Sequence, residues 1–252
     1  MTLDSGFLIA FLSAFVRCSA MLLSSPIFGK TVPVKVRILF SLMVSMALVP
    51  VIRPYVGEVP QDMVSLTLLV GRDVFVGILI GGMIQLLLAA FQIAGGFLDI
   101  QIGIGAAQIF NPQMGAMSTP ISQFKFMLGL VLLLLLDGHH MMFRAFVASY
   151  ELVGPTVSRV GEMQTAIMGF MGHISLMAVQ IAAPVAAVAV LIDVVAGLIN
   201  KGVPQTMPFL LAMPAKMIAG MFALAIGLPA LVVAARSGID FTFDYMSQML
   251  GG

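Results

Sequence analysis

AGGFLDIQIGIGAAQIFNPQMGAMSTPIS, residues 94–122, decides how this chain is read. Long apolar runs lie on both sides of it. It holds the pair Gly95 and Gly96, then Gly103 and Gly105, with Pro112 and Pro120 further on. Its only charge is Asp99. Glycine and proline interrupt it too often for one continuous helix. Irregular backbone at membrane depth survives only where protein buries it or a watered cavity receives it. A neutral loop carrying Phe110, Met114 and Met117 between hydrophobic segments is therefore expected to be buried or to line a cavity.

The flanking runs set the class. The chain has 252 residues, 60% of them hydrophobic and only 9% charged, with a mean hydropathy of +1.11. A soluble domain carries about 25% charged residues. The expectation is an all-α, multi-helix membrane protein. A net charge of +1 gives no sign of nucleic-acid binding. The single cysteine, Cys18, excludes an intrachain disulfide and a thiolate zinc cluster. Asp4 and the lack of a basic residue before the first apolar run argue for an uncleaved first helix rather than a signal peptide. Tryptophan is absent. Lipid-facing proteins often use it at the interface, so its absence suggests shielding by other chains.

Residues 6–25 form the first apolar segment, interrupted by Arg17. A charge there needs a partner, a cavity or an interface. A basic loop with Lys30, Lys35 and Arg37 leads to a second segment over 38–52. The third runs from 63 to 98, too long for one span of about 20 residues. Arg72 and Asp73 lie near its start. Gly77 and Gly81 make a small-xxx-small pattern that lets helix backbones approach. The fourth, 124–136, continues past Gly138 as a kinked helix to about residue 150. The fifth covers 164–199 and contains Pro184 and Asp193. A turn with Lys201, Pro204 and Gln205 joins it to the sixth, 207–235. The tail from Arg236 is amphipathic and suited to a surface. The basic first loop places itself in the cytoplasm, with the Lys201 turn also inside and both termini outside. By pattern the chain divides into 1–155, with four segments and the central loop, and 156–252, one long helical hairpin.

Few constellations suggest chemistry. Asp137, His139 and His140 resemble metal ligands, but adjacent helical residues point about 100° apart. A polar helix end or an interhelical hydrogen bond is the expected role, and no metal or cofactor is expected. Asp99, Asp137 and Asp193 are candidates for a proton relay, although no spacing pairs them. No catalytic triad, phosphate loop or dinucleotide fingerprint occurs, so the chain is not expected to be an enzyme. Phe110, Met114 and Met117 are flexible or bulky apolar groups that could seal a pore to ions and yield to a passing chain.

Several of these residues together resemble a known family. They are Arg17 with Ser24-Ser25-Pro26-Ile27-Phe28-Gly29, Val32-Pro33, Val36-Arg37, and Gly77 with Gly81. The series continues with Ala94-Gly95-Gly96, Asp99, Gln101 and Gly103, then Asn111-Pro112 and Asp137-Gly138-His139-His140. Ala183-Pro184, Gly197-Leu198-Ile199 and Val203-Pro204-Gln205 complete it. Their order and spacing are similar to the flagellar biosynthetic FliR family and its counterparts in virulence-associated type III secretion. Asp73 stands where that family often carries Glu, which keeps the charge.

The resemblance implies an export-gate subunit in the bacterial inner membrane, within the flagellar basal body. Its N-terminal part would be FliP-like and its C-terminal hairpin FliQ-like. It implies partnership with FliP-like and FliQ-like chains, with FlhA-like and FlhB-like export components, and with unfolded flagellar substrates. The loop at about 106–122 would be the plug, closed by Phe110, Met114 and Met117. Gly77, Gly81, Gly95, Gly96, Gly103 and Gly105 would serve packing and bending. Arg17, Asp73, Asp99, Asp137 and His139 would be buried polar or assembly residues. Lys201, Pro204 and Gln205 would form the hairpin tip. Two rival readings stand beside this one. The chain could be a stand-alone proton-coupled transporter, or a structural nucleator of the gate that never touches cargo.

Overall fold

The computed structural model describes residues 5–28, 32–56, 62–104, 119–152, 160–202 and 208–251. Helices account for nearly all of these residues, and no strand occurs among them. The helices are α1 (Ser5–Ser24), α2 (Val34–Ile52), α3 (Met63–Ile102), α4 (Pro120–Leu135), α5 (Gly138–Leu152), α6 (Val160–Gly202) and α7 (Pro208–Gly251). Short 3-10 turns follow α1 and α2, at Pro26–Phe28 and Arg53–Tyr55.

The helix lengths follow from where the breakers sit. α3 runs for 40 residues without a proline. At 1.5 Å per residue it spans about 60 Å, twice the hydrocarbon thickness of a bilayer. It ends where Gly103 takes φ +92° and its N–H bonds back to the Ile100 carbonyl. That left-handed conformation suits glycine because it has no Cβ. The fourth segment is split, as the expected kink requires. α4 stops at Leu135, Asp137 takes φ 58°, and α5 restarts at Gly138, so the chain turns sharply there. The tail from Arg236 is not a separate surface segment. It continues α7 for 44 residues in all, because no proline follows Pro229 and the backbone ladder is unbroken.

Among the described residues, five helices are long and apolar enough to cross a membrane, or six if the broken pair α4 and α5 counts as one. The chain is a membrane protein.

The helices sort into two compact units. The first comprises Met1–Leu87, Leu133–Met171 and Ile239–Gly252; the second comprises Leu88–Leu132 and Gly172–Gly238. Each unit draws on both sides of the boundary at residue 155 suggested by sequence pattern.

In the first unit, Ala10, Ala14, Cys18 and Met21 bury one face of α1. Gly77 and Gly81 let α3 approach α1 closely. A Cβ on Gly77 would overlap the Arg17 carbonyl, and one on Gly81 would overlap Ser24 Oγ and the Met21 carbonyl. Phe170 stacks on Phe241 at 6.1 Å, and the Tyr245 hydroxyl donates to the Ala166 carbonyl at 2.9 Å.

In the second unit, Leu88, Phe91, Leu98 and Ile102 of α3 are buried. So are Ala178, Ala182, Val185 and Ala189 of α6. Small residues dominate that second face, which keeps the packing tight. The outer faces of α6 and α7 expose Leu191, Val195, Leu198, Phe222 and Ile226. A patch of that character needs lipid or another protein over it.

Candidate functional site

Two buried polar seats stand out, one in each unit. The first is built on Arg17, which is fully buried in the middle of α1. A guanidinium cannot give up its charge, so it needs an acceptor. Asp73 of α3, also fully buried, supplies it. Arg17 Nη2 and Nε both donate to Asp73 Oδ1, the latter at 3.2 Å. Arg17 Nη1 donates to Ser149 Oγ of α5 at 2.7 Å. Ser149 passes its own proton to the Phe146 carbonyl at 2.6 Å.

The second oxygen of Asp73 accepts from Ser13 Oγ. Because that proton is committed, the Tyr150 hydroxyl is the donor across its 3.3 Å contact with Ser13 Oγ. The Tyr150 ring also lies beneath the Arg17 guanidinium, 3.6 Å from Cζ to the ring centroid. This cation–π contact satisfies the face of the charge that no hydrogen bond reaches. The seat thus ties α1, α3 and α5 through side chains alone. Arg72 stands at its edge, 3.7 Å from Asp73 Oδ1. Its Nε is buried without a hydrogen-bond partner among the described residues.

The second seat surrounds Asp99, near the end of α3. It is fully buried, yet no basic side chain pairs with it among the described residues. Its Oδ1 accepts the Ile121 N–H at 3.2 Å and its Oδ2 the Ser122 N–H at 3.0 Å. These are orphan donors at the start of α4. Pro120, at the first helical position, has no N–H to satisfy. A carboxylate there also meets the positive end of the helix dipole. Ser122 Oγ returns a bond to the Gln92 carbonyl at 3.0 Å. Gly95 makes the approach possible. A Cβ on it would overlap Ser122 Cα and stand 2.8 Å from the Ile121 carbonyl. The helices on either side of the central loop are therefore fastened together at its base.

Other expected residues are placed differently. Gly96 faces open space among the described residues, where a Cβ added to it would meet nothing within 4 Å, so it makes no close packing contact with them. Its neighbour Gly95 takes the close contact because the two point about 100° apart on the helix. Asp137 is exposed, not buried, because it sits in the break between α4 and α5. His139 is half-buried. The two imidazoles do meet, with ring centroids 4.1 Å apart. They lie in the first turn of α5, where no preceding turn restricts their rotamers. His140 Nδ1 is 3.1 Å from Asp137 Oδ1.

The three acids of the relay idea are each engaged locally. Asp99 holds backbone N–H groups, Asp137 faces His140, and Asp193 pairs with Lys216. Lys201 is exposed in the last turn of α6, where a cation complements the helix dipole. Phe110, Met114, Met117, Gly105, Pro204 and Gln205 lie outside the described residues.

Sequence reasoning missed Ser13, Ser149 and Tyr150. Ser13 had a weak signal, being one turn before Arg17 on the same helix face. It also missed Lys125. This residue is buried in α4 and donates to the Ile181 carbonyl of α6 at 3.4 Å. The signal was plain, since Lys125 is a charge at the start of an apolar run.

With the seats described, relatives give the context. The family described as bacterial export proteins, family 1, matches residues 8–241. The chain belongs to that family. The flagellar biosynthetic protein FliR of Bacillus subtilis is 29% identical over 247 residues, covering 96% of this chain and 94% of that protein. The protein of the same name from Caulobacter vibrioides is 29% identical over 221 residues, covering 87% and 88%. That of Escherichia coli is 22% identical over 239 residues, covering 93% and 90%.

Proposed function

We propose that this chain is a non-enzymatic core component of the flagellar type III export gate. In this reading it assembles with FliP-like and FliQ-like subunits in the inner membrane, within the basal body. It works beside FlhA-like and FlhB-like components. It conducts unfolded flagellar subunits passively, with energy supplied elsewhere in the apparatus. The observation that carries the reading is the family match along nearly the whole chain, joined to relatives named for flagellar biosynthesis. The exposed apolar faces of α6 and α7 support it, since they suit cover by neighbouring chains. Phe110, Met114 and Met117 close the pore at rest, because apolar constrictions exclude ions by dewetting.

The test is a pulldown of the tagged chain from native membranes, followed by intact-complex mass measurement. The expected result is this chain bound to several FliP-like and FliQ-like chains. A lone monomer or homodimer sinks the reading and returns attention to a stand-alone transporter. In the assembled complex, replacing Phe110, Met114 and Met117 together by Gly should raise ion leakage. Unchanged conductance would remove the plug role while leaving the assembly standing.

A further inference from the structure

The Asp137-Gly138-His139-His140 element is prominent in the sequence, and the export function leaves it without a task. We propose that Asp137, His139 and His140 form a site for one divalent transition-metal cation at the break between α4 and α5. Four observations converge on it. One ligand atom from each of the three side chains lies within 4.8 Å of the other two. The two rings face one another at 4.1 Å rather than diverging. Asp137 adopts φ 58°, uncommon outside glycine, and this places its carboxylate against His140. His139 Nδ1 is buried without a hydrogen-bond partner among the described residues.

A ring nitrogen shut off from water and unpaired is unfavourable, and a cation would take its lone pair. Tetrahedral bonds of about 2.0–2.1 Å put donor atoms about 3.4 Å apart; His140 Nδ1 and Asp137 Oδ1 already stand 3.1 Å apart, while the three ligand atoms together lie within 4.8 Å of one another. Asp137 and His140 are exposed, so their rotamers can close that gap. The donor set selects the metal. Two imidazoles and one carboxylate suit zinc, cobalt or nickel. Magnesium and calcium prefer oxygen cages and would bind poorly. The cation takes an ionised Asp137 and two neutral imidazoles, and the remaining coordination position is open to water or to a neighbouring side chain. When bound, it clips the break residue onto the first turn of α5 and fixes the sharp turn of the chain.

The test uses the full chain in detergent, purified through a tag without histidine and stripped with a chelator. Zinc is titrated by calorimetry, and retained zinc is counted by elemental analysis after dialysis. One zinc per chain is expected. His140→Ala and Asp137→Asn should each weaken binding by roughly tenfold or more, since even supporting residues of a metal site cost that much. Both residues are exposed, so the variants should keep the helical circular dichroism of the parent. His139→Ala should act the same way; if it fails to fold, the two exposed variants still decide the matter. His173→Ala should leave zinc binding unchanged. Absence of stoichiometric zinc in the parent overturns the proposal. So does zinc binding that survives in both His140→Ala and Asp137→Asn, or magnesium binding as tight as zinc.

Discussion

Arg17–Asp73 and Asp99 solve one problem in two ways. Both seats put a carboxylate fully out of water in an apolar protein. In the first, a fixed cation answers it, and three neighbouring side chains complete the network. In the second, two backbone N–H groups and a helix terminus answer it, with no cation paired to it among the described residues. The first arrangement is specific in its partners. Loss of either charge takes away the other's closest ionic partner. The second is specific in its backbone, because any shift of the start of α4 removes both donors. A seat of the first kind locks helices by side-chain identity, and one of the second kind locks them by position.

The largest expected effect comes from breaking the first seat on one side. Arg17→Met should destabilise the chain by about 3–5 kcal/mol, since it removes the buried cation that pairs with Asp73 and leaves only the Ser13 hydroxyl and the more distant Arg72 against it. Thermal unfolding of the detergent-purified chain reads this as a steep fall in midpoint or a loss of folded yield. The double variant Arg17→Met with Asp73→Leu should recover much of the loss, because replacing a buried pair by apolar groups is often neutral. A double variant no more stable than Arg17→Met alone would mean that Ser13, Ser149 and Tyr150, which lose Arg17 or Asp73 as a partner, carry the cost.

The second seat should yield less. Asp99→Asn keeps the shape but replaces one carboxylate oxygen by an NH2 group. That group cannot accept the second backbone N–H. The expected loss is about 1.5–3 kcal/mol, the usual range for a hydrogen bond to a charged group. Raised salt should change it little, since a buried site is poorly screened. Protection of the Ile121 and Ser122 amides against hydrogen exchange should fall before that of α1. Equal loss of protection in both places would show that the two seats unfold together rather than independently.

The two seats also differ in how legible they are in the sequence. Apolar runs and their breakers mark nearly every helix, because span length and proline placement are local properties. Arg17, Asp73 and Asp99 are conspicuous as charges within apolar runs. Their partners are not. Ser149 lies 132 positions from Arg17, and nothing in a serine's neighbourhood announces such a contact. The partner of Asp99 is backbone, which carries no side-chain signature at all. Only Pro120, a favoured first helical residue, hints that donors cluster there. The histidine pair misleads for a different reason. The 100° rule holds for Cα–Cβ directions inside a helix, whereas imidazoles at a helix start can swing together.

The smallest effects give the sharpest contrast, because they separate two adjacent glycines that look alike in sequence. A methyl group on Gly95 meets the backbone of Ser122, which cannot move without disturbing both bonds to Asp99. Gly95→Ala should therefore cost about 1–3 kcal/mol, the usual range for overpacking. Gly96 has open space around it among the described residues, so the same methyl adds no clash with them. There the change only relieves the conformational freedom of glycine in a helix, and Gly96→Ala should stabilise the isolated chain by up to about 1 kcal/mol. The lack of a clash within the chain also makes it a probe of assembly. If Gly96→Ala leaves the lone chain at least as stable as the parent but lowers recovery of FliP-like and FliQ-like chains in the pulldown, the open face of Gly96 is a contact between subunits. Recovery at the parental level would leave Gly95 as the only one of the pair with a packing task, and would place that task wholly at the seat of Asp99.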